Sequence, residues 1–196
     1  MFGYKFSVKF NSLKNYLLSL SISRKLKEVD GLARFQYPIK IQGLNNIKIG
    51  KNFVSGKNLR MQAIHSYYDY KYEGKIEIGD NVTLNPNCQI VAIDKVIIGN
   101  NVLMASNVFI SDHSHGDVNF MDIEIAPSLR KLDSKGPIII EDNVWIGQNV
   151  SILSNITIGR NAIIGANSVV TKNVPSYSVV VGSPAKVVRQ IKDCKS

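Results

Sequence analysis

A six-residue period of apolar and polar positions runs through the C-terminal part of the chain. Residues 140–175 divide into the blocks IEDNVW, IGQNVS, ILSNIT, IGRNAI, IGANSV and VTKNVP. Every block begins with an aliphatic residue and has asparagine in fourth place. An α-helix repeats its apolar face about every 3.6 residues and a strand about every two, so neither element explains this period. The pattern predicts short strands separated by turns, stacked as the three faces of a parallel β-helix.

The two constant positions have different predicted roles. The leading aliphatic residue is expected to point inward and fill a triangular prism. The fourth-place asparagine is expected at a corner, because asparagine tolerates left-handed backbone dihedrals that most residues resist. The leading residues are Ile140, Ile146, Ile152, Ile158, Ile164 and Val170, and the asparagines are Asn143, Asn149, Asn155, Asn161, Asn167 and Asn173.

The period starts at Ile49 and is interrupted twice. The first interruption is HSYYDYKYEG at 65–74, which contains four tyrosines. The second is longer, because the 42 residues from Ile98 to Ile140 exceed one coil of 18 by 24. We therefore predict an all-β domain over 38–196, with a protruding loop at 113–137. A cap over 176–196, with a short helix after Pro184, should close the open end.

Residues 1–37 lack the period and are predicted as a basic helical segment. Leu13, Tyr16, Leu17 and Leu20 can form one apolar stripe. One interpretation is a helix packed on the prism, and the alternative is a peripheral contact with anionic lipid. No stretch approaches the roughly 20 apolar residues that span a bilayer, and no signal-peptide cleavage site follows the first apolar patch. We predict a cytoplasmic protein, with the lipid alternative placing it at the inner face of the membrane.

Composition limits the partners. A chain of 196 residues with 44% hydrophobic residues suits one domain, and a net charge of +9 favours anionic partners. The positive charges are scattered and match no nucleic-acid module, so no nucleic-acid partner is predicted. Cys88 and Cys194 lack zinc-ligand spacing and the three histidines are scattered, so no metal site is predicted. Cys88 occupies the fifth, inward-tending place of its block and is predicted to lie in the core.

The most informative departure from the period is ISDHSH at 110–115. His113 replaces the fourth-place asparagine, His115 ends the block, and the longest insertion follows directly. A histidine at the root of a long loop is a candidate general base. The alternative is a loop histidine that only bonds the loop to the coil. Asp112 can fix the tautomer of either histidine.

Several longer runs resemble the hexapeptide-repeat acyltransferases over roughly 49–189. These runs are NVWIGQNVSIL, IGANSVVTKNVP and the ending VVGSPAKVVR, beside the repeat itself. They look like the branch of maltose and galactoside acetyltransferases and of surface-polysaccharide sugar O-acetyltransferases. The run SKGPIIIEDNVWIG, after a loop opened by DHSHG, resembles the polysaccharide members best. The resemblance implies a left-handed β-helix, a homotrimer with sites between subunits, and acetyl-CoA as the acyl donor.

The resemblance also implies site residues. Counted without gaps from Gly99, the family's catalytic histidine matches His115, with His113 and Asp112 as further catalytic candidates. The family's N-x-N segment places Asn85 near the acceptor, and Trp145 matches a tryptophan beside the acetyl site. The family's acidic pair is replaced by Ala92 and Ile93, which disfavours a free-sugar acceptor. The matching positions for coenzyme A are Gly147, Ala166, Thr171, Lys172, Lys186 and Arg189.

The predicted function is therefore an acetyl-CoA-dependent O-acetyltransferase. Its acceptor would be a sugar hydroxyl of a surface polysaccharide, such as O-antigen or capsule, or of a precursor, with His115 as general base. One alternative is N-acetylation of an amino-sugar nucleotide, and another is a non-catalytic hexapeptide-repeat scaffold. The tyrosines at 67–72 have two interpretations, stacking on a sugar ring or covering the coil.

Overall fold

The computed structural model describes residues 2–116 and 123–190, with side chains from Leu13 onward. The described chain is an all-β, left-handed parallel β-helix with one N-terminal helix, which confirms the predicted fold class. The distal part of the predicted loop, the end of the predicted cap and Cys194 lie outside the described residues.

Three sheets form the faces of the prism, and all their strand pairs are parallel except that of the last two strands of the second sheet. The first sheet contains β1 (Glu28–Val29), β4 (Ile47–Ile49), β9 (Lys75–Ile78), β12 (Lys95–Ile98), β17 (Ile138–Ile140) and β20 (Ile156–Ile158). The second contains β2 (Arg34–Phe35), β5 (Val54–Ser55), β10 (Thr83–Leu84), β13 (Leu103–Met104), β18 (Trp145–Ile146), β21 (Ile163–Ile164), β23 (Ser178–Val181) and β24 (Lys186–Gln190). The third contains β3 (Ile39–Gln42), β6 (Leu59–Ala63), β11 (Gln89–Ala92), β14 (Phe109–Ser111), β19 (Ser151–Ile152) and β22 (Val169–Val170).

Two hairpins leave the prism where the period is interrupted. The first consists of β7 (Ser66–Tyr67) and β8 (Tyr70–Lys71), and the second of β15 (Ser114–His115) and β16 (Leu132–Asp133). Two short 3₁₀ helices lie at Leu44–Asn46, between β3 and β4, and at Pro127–Leu129, between β15 and β16. Both interruptions therefore form antiparallel structure outside the coil, as the length of the insertions requires.

The leading aliphatic residues fill the prism as predicted. Ile140, Ile146, Ile152 and Ile158 are completely buried, and they belong to one continuous core that also contains Ile98 and Ile110 of the preceding coil. Full burial of such a side chain contributes about 1.5–3 kcal/mol. The six-residue period exists because each coil must place one aliphatic side chain per face in this narrow interior.

The fourth-place asparagines form the corners. Asn143, Asn149, Asn155, Asn161 and Asn167 have φ between 58° and 59°, in the left-handed region. Neighbouring corner asparagines also bond side chain to side chain along two ladders, which are Asn52–Asn81–Asn101–Asn143 and Asn58–Asn87–Asn107–Asn149–Asn167. The last asparagine of the predicted series, Asn173, instead accepts a hydrogen bond from the Thr157 amide.

The N-terminal helix α1 (Phe2–Ser23) packs on the first coil, but not through the predicted stripe. Leu13, Tyr16 and Leu17 are exposed, whereas Ser19 and Ile22 are buried. The Ser19 hydroxyl accepts a hydrogen bond from the Phe35 amide at 2.9 Å. An amide at the open end of a sheet needs a partner, so this bond decides which face of the helix docks.

The first coil begins earlier than the period indicates. Strands β1 and β2 lie within the predicted helical segment 1–37 and pair in parallel with β4 and β5. Ala33 and Phe35 fill the interior there without any six-residue repeat. No described helix is both long and apolar enough for a membrane span. The peripheral membrane contact and the cytoplasmic location stay predictions.

The predicted short helix after Pro184 is wrong. Residues 186–190 form β24, which pairs antiparallel with β23 and extends the second sheet. Val187 and Val188 favour an extended chain because their branched side chains restrict rotation in a helix. At this end of the prism Val174 and Val180 are buried members of the core, and the partly buried Ala185 packs against it.

Cys88 lies in the core, as predicted. Its side chain is completely buried, and Sγ donates to the Ala105 carbonyl at 3.3 Å. Burial raises the pKa of this thiol to about 11, because the apolar interior disfavours the thiolate. Cys88 is therefore a packing residue and not a nucleophile.

The corner ladder predicts how Asn101 substitutions affect stability. Asn101 has φ 57°, accepts from Asn81 at 3.0 Å and donates to Asn143 at 3.0 Å. Asn101→Gly loses both bonds, and we expect the free energy of unfolding to fall by about 1–2 kcal/mol. Asn101→Ala also places a Cβ in the left-handed region, so we expect a further loss of about 1 kcal/mol. Urea titration measures the free energy of unfolding of both variants. An equal loss in the two would contradict the role of the left-handed backbone at Asn101.

Candidate active site

All three histidines of the chain line one cavity of about 460 Å³. The cavity lies between the outer face of the third sheet and the two hairpins. His65 comes from the end of β6, while His113 and His115 come from the root of the long loop. The histidines looked scattered in the sequence, and the coil brings them together because each follows a strand of the third sheet. Within the part of the chain that the structure describes, no group of three metal-ligating side chains is placed to hold a metal ion.

Asp112 and His113 form a buried pair at the end of β14. The Asp112 carboxylate accepts hydrogen bonds from the Ile93 amide at 2.9 Å and the Asp94 amide at 2.8 Å. It also lies 3.0 Å from His113 Nδ1. The aspartate is completely buried and the histidine side chain is 10% exposed. A buried carboxylate needs such partners. The pair therefore fixes the orientation of the His113 ring at the cavity wall.

His115 has a different environment. It lies on β15 opposite Leu132, is exposed, and meets the Tyr67 ring edge to face at 5.4 Å between centroids. Among the residues described, no carboxylate pairs with its imidazole. The sequence allowed either histidine as the partner of Asp112, and in the structure the partner is His113.

Two tyrosines join the hairpins above the cavity. The Tyr67 hydroxyl donates to the Ser128 carbonyl at 2.6 Å. The Tyr72 hydroxyl donates to the Leu132 carbonyl at 3.2 Å and accepts from the Leu132 amide at 2.9 Å. Burial raises the pKa of Tyr72, which keeps this hydroxyl protonated as a donor. These two tyrosines therefore hold the loops together, while Tyr68 and Tyr70 are exposed.

Trp145, Gly147 and Ala166 meet near the corner between the second and third sheets. Trp145 is 52% exposed on the outer face of β18. A Cβ on Gly147 would lie 2.6 Å from the Ala166 amide nitrogen, so only glycine allows these coils to stack. Asn85 stands at the same corner two coils earlier, where Nδ2 donates to the Met104 carbonyl at 2.9 Å. It does not line the histidine cavity.

The remaining residues predicted to bind coenzyme A lie elsewhere on the C-terminal coils. Thr171 and Lys172 are exposed at the corner between the third and first sheets, directly after β22. Lys186 and Arg189 are exposed on β24. Within one protomer, the third sheet separates Thr171 and Lys172 from Trp145. Ala92 and Ile93, at the positions of the family's acidic pair, are both buried.

Polar residues of the first coils were missed by the sequence. Arg60, Gln62 and Gln42 line the cavity on the outer face of the third sheet. The only signal was the polar Gln62 between the buried Met61 and Ala63, in a strand longer than the period needs. Their position beside the histidines depends on the hairpins that fold over them.

Comparison with known proteins gives one family. A family model described as bacterial transferase hexapeptide (six repeats) matches residues 137–172. The protein of Escherichia coli (strain K12) named lipopolysaccharide biosynthesis O-acetyl transferase WbbJ is 37% identical over 159 residues, which are 79% of this chain and 77% of that protein. The chain spans less of the next three curated relatives, at 59%, 57% and 58% of their lengths.

Solved structures agree. A galactoside acetyltransferase in complex with coenzyme A has a TM-score of 0.55 at 31% identity, over 88% of this chain and 68% of that one. A variant of AntD, an N-acyltransferase from Bacillus cereus in complex with dTDP and coenzyme A, has a TM-score of 0.70 at 16% identity, over 86% and 85%. At that identity the likeness to AntD concerns the fold alone.

The tyrosine contacts predict the effect of Tyr72→Phe. This change removes both hydrogen bonds to Leu132, so the second hairpin should open locally more often. We expect hydrogen exchange at the Leu132 amide to accelerate by about tenfold, equivalent to about 1.4 kcal/mol. Tyr70→Phe is the matched control, because Tyr70 lies on β8 of the first hairpin, two residues before Tyr72, and is exposed. Equal exchange in both variants would show that Tyr72 does not hold the loop.

Proposed function

The chain belongs to the hexapeptide-repeat acetyltransferases, and on that premise we propose that it transfers the acetyl group of acetyl-CoA to a hydroxyl of a sugar in a surface polysaccharide, such as O-antigen or capsule, or in its precursor. The observation that carries the proposal is the Asp112–His113 pair at the wall of the cavity. The relative named for lipopolysaccharide biosynthesis supports the class of acceptor.

The axial order of the residues supports this assignment. The cavity occupies the first four coils and ends at His113. Trp145 and Gly147 belong to the next coil, Ala166, Thr171 and Lys172 to the coil after it, and Lys186 and Arg189 to the terminal strand. We therefore propose that the order along the prism is acceptor cavity, base, acetyl site and coenzyme A wall.

The C-terminal coils suit coenzyme A. Trp145, Ile163, Val179 and Arg189 stand in one row on adjacent strands of the second sheet. Three strand spacings place Arg189 about 14 Å from Trp145. This row offers an apolar wall for the pantetheine arm and, at its end, cations for the phosphates. The galactoside acetyltransferase in complex with coenzyme A supports the same donor.

We assign the general base to His113 in preference to His115. A base held by a carboxylate on one ring nitrogen can offer the other nitrogen to a substrate. The Asp112 carboxylate provides this contact to His113, whereas His115 meets only the Tyr67 ring and lies at the exposed edge. The gap-free count that favoured His115 uses sequence position alone. In the structure the His113 side chain is nearly buried beside Asp112, whereas His115 is exposed.

The reaction balances with these groups. The acceptor hydroxyl oxygen attacks the thioester carbonyl carbon, and His113 Nε2 takes the hydroxyl proton as the new C–O bond forms. The C–S bond then breaks, and the same imidazole returns the proton to the departing thiolate. The Nδ1 proton stays on the imidazole throughout and is donated in a hydrogen bond to the Asp112 carboxylate. An amino-sugar acceptor would follow the same course, so amines belong in the acceptor panel.

Substitutions distinguish the two candidate bases. We expect His113→Ala to lower kcat by about 10²–10⁴-fold, and Asp112→Asn by a smaller factor, because the base or its orienting carboxylate is lost. His115→Ala should stay within about tenfold of the wild type. Loss of thioester absorbance from acetyl-CoA measures turnover against neutral sugars, amino-sugar nucleotides and oligosaccharide repeats. The reverse ranking of the two histidines would assign the base to His115, and no turnover with any acceptor would overturn the proposed transfer.

The separation of the two groups within one protomer supports a trimer with sites between subunits. His113 lies at the corner between the third and first sheets, and Trp145 lies across the third sheet from it. A neighbouring protomer that presents its Trp145 side to His113 would complete the site.

Mixed oligomers test this arrangement. Two inactive variants, His113→Ala and Trp145→Ala, are co-expressed in equal amounts. Each site needs an intact His113 from one chain and an intact Trp145 from its neighbour, and half of the chains supply each group. About a quarter of the sites should therefore be active. Chains expressed separately and mixed after assembly are the control and should recover no activity. Absence of recovery on co-expression, or a monomer by light scattering, would contradict sites between subunits.

A further inference from the structure

The acceptor end of the cavity has a fixed positive charge. Arg60 lies on the outer face of β6 and lines the cavity together with the histidines. None of the cavity-lining residues that the structure describes is an aspartate or glutamate, and Asp112 lies buried behind them. Among the described residues, Arg60 has no carboxylate within ion-pair distance. A guanidinium in this position is available for an anion.

The Arg60 guanidinium is also held in place. Nε donates to Gln62 Oε1, and Gln62 Nε2 donates to Gln42 Oε1. Gln62 is only 5% exposed, although it is on the outer face of the sheet. With Nε engaged, the two terminal nitrogens keep their N–H groups for a ligand. Planar N–H pairs suit the paired oxygens of carboxylate or phosphate.

The distance to the base limits where the anion can be. Gln62, Val91 and Ser111 stand in register on adjacent strands of the third sheet. Gln62 is therefore about 10 Å from Ser111, and His113 follows two residues later. An anionic group bound by Arg60 would therefore lie about two strand spacings along the prism axis from a hydroxyl at His113.

We propose that the acceptor carries an anionic oxygen group, phosphate or carboxylate, and that Arg60 binds it in the same cavity, about two strand spacings from His113. This inference rests on the proposed acetyl transfer. A glycosyl phosphate and an adjacent uronic acid share this chemistry. The apolar, buried Ala92 and Ile93 add no competing negative charge beside the site. A neutral free sugar would leave the guanidinium without its partner.

Binding measured by calorimetry tests the proposal without requiring turnover. The probes are N-acetylglucosamine 1-phosphate against N-acetylglucosamine, and cellobiouronic acid against cellobiose. We expect at least one anionic probe to bind the full chain about tenfold more tightly than its neutral match, or better, because hydrogen bonds to charged groups are the stronger class. The pair with the larger ratio identifies phosphate or carboxylate as the source.

Matched variants assign the effect. Arg60→Gln should abolish the charge preference while leaving the binding of the neutral probes unchanged. Lys40→Gln removes the same charge from the residue that pairs with Arg60 on β3, outside the cavity lining, and should keep the preference. A preference that survives Arg60→Gln, or equal binding of neutral and anionic probes, would overturn the inference. An Arg60-dependent preference without acetyl transfer to any acceptor supports the anion site and refutes only the proposed function.

Discussion

Backbone hydrogen bonds between successive coils are the constraint on which the rest of the structure depends. They hold adjacent strands about 4.8 Å apart, so height along the prism is set by coil number. The Gly99 amide donates a hydrogen bond to the Ile140 carbonyl at 2.7 Å, although the long loop lies between these residues in the sequence. The insertion therefore does not disturb the stacking on either side of it. This regular spacing turns sequence order into an axial order from the proposed acceptor cavity to the proposed coenzyme A wall.

The candidate site lies where this regularity stops. At the end of β14 the chain leaves the prism, and the amides of Ile93 and Asp94 bond the Asp112 carboxylate. The same carboxylate holds the His113 ring. One side chain thus closes the coil and orients the proposed base, so the same buried group serves the fold and the proposed catalysis. Tyr67 and Tyr72 complete the enclosure by tying the two hairpins together.

Regular and irregular parts of the chain differed in how well they could be predicted. The inward isoleucines, the corner asparagines, the two insertions and buried Cys88 follow from local pattern, because each coil repeats the same steric requirement. The docking face of α1 could not be predicted, since it depends on a hydrogen bond that the distant Phe35 amide donates to the Ser19 hydroxyl. The C-terminal strand forms because the edge of β23 is open to pairing, and the prediction of a short helix after Pro184 takes no account of that edge.

The sequence by itself determined the prism, its interior and the position of the break, because a strict period leaves few other folds for these residues. It also brought Asp112, His113 and His115 forward as candidates. Only the tertiary structure decided which histidine the carboxylate holds, and that His65, Arg60 and Gln62 share the cavity with them. These residues come from different coils. Their proximity arises from stacking and from loops folding over the sheet, and no local pattern encodes contacts made at that sequence distance.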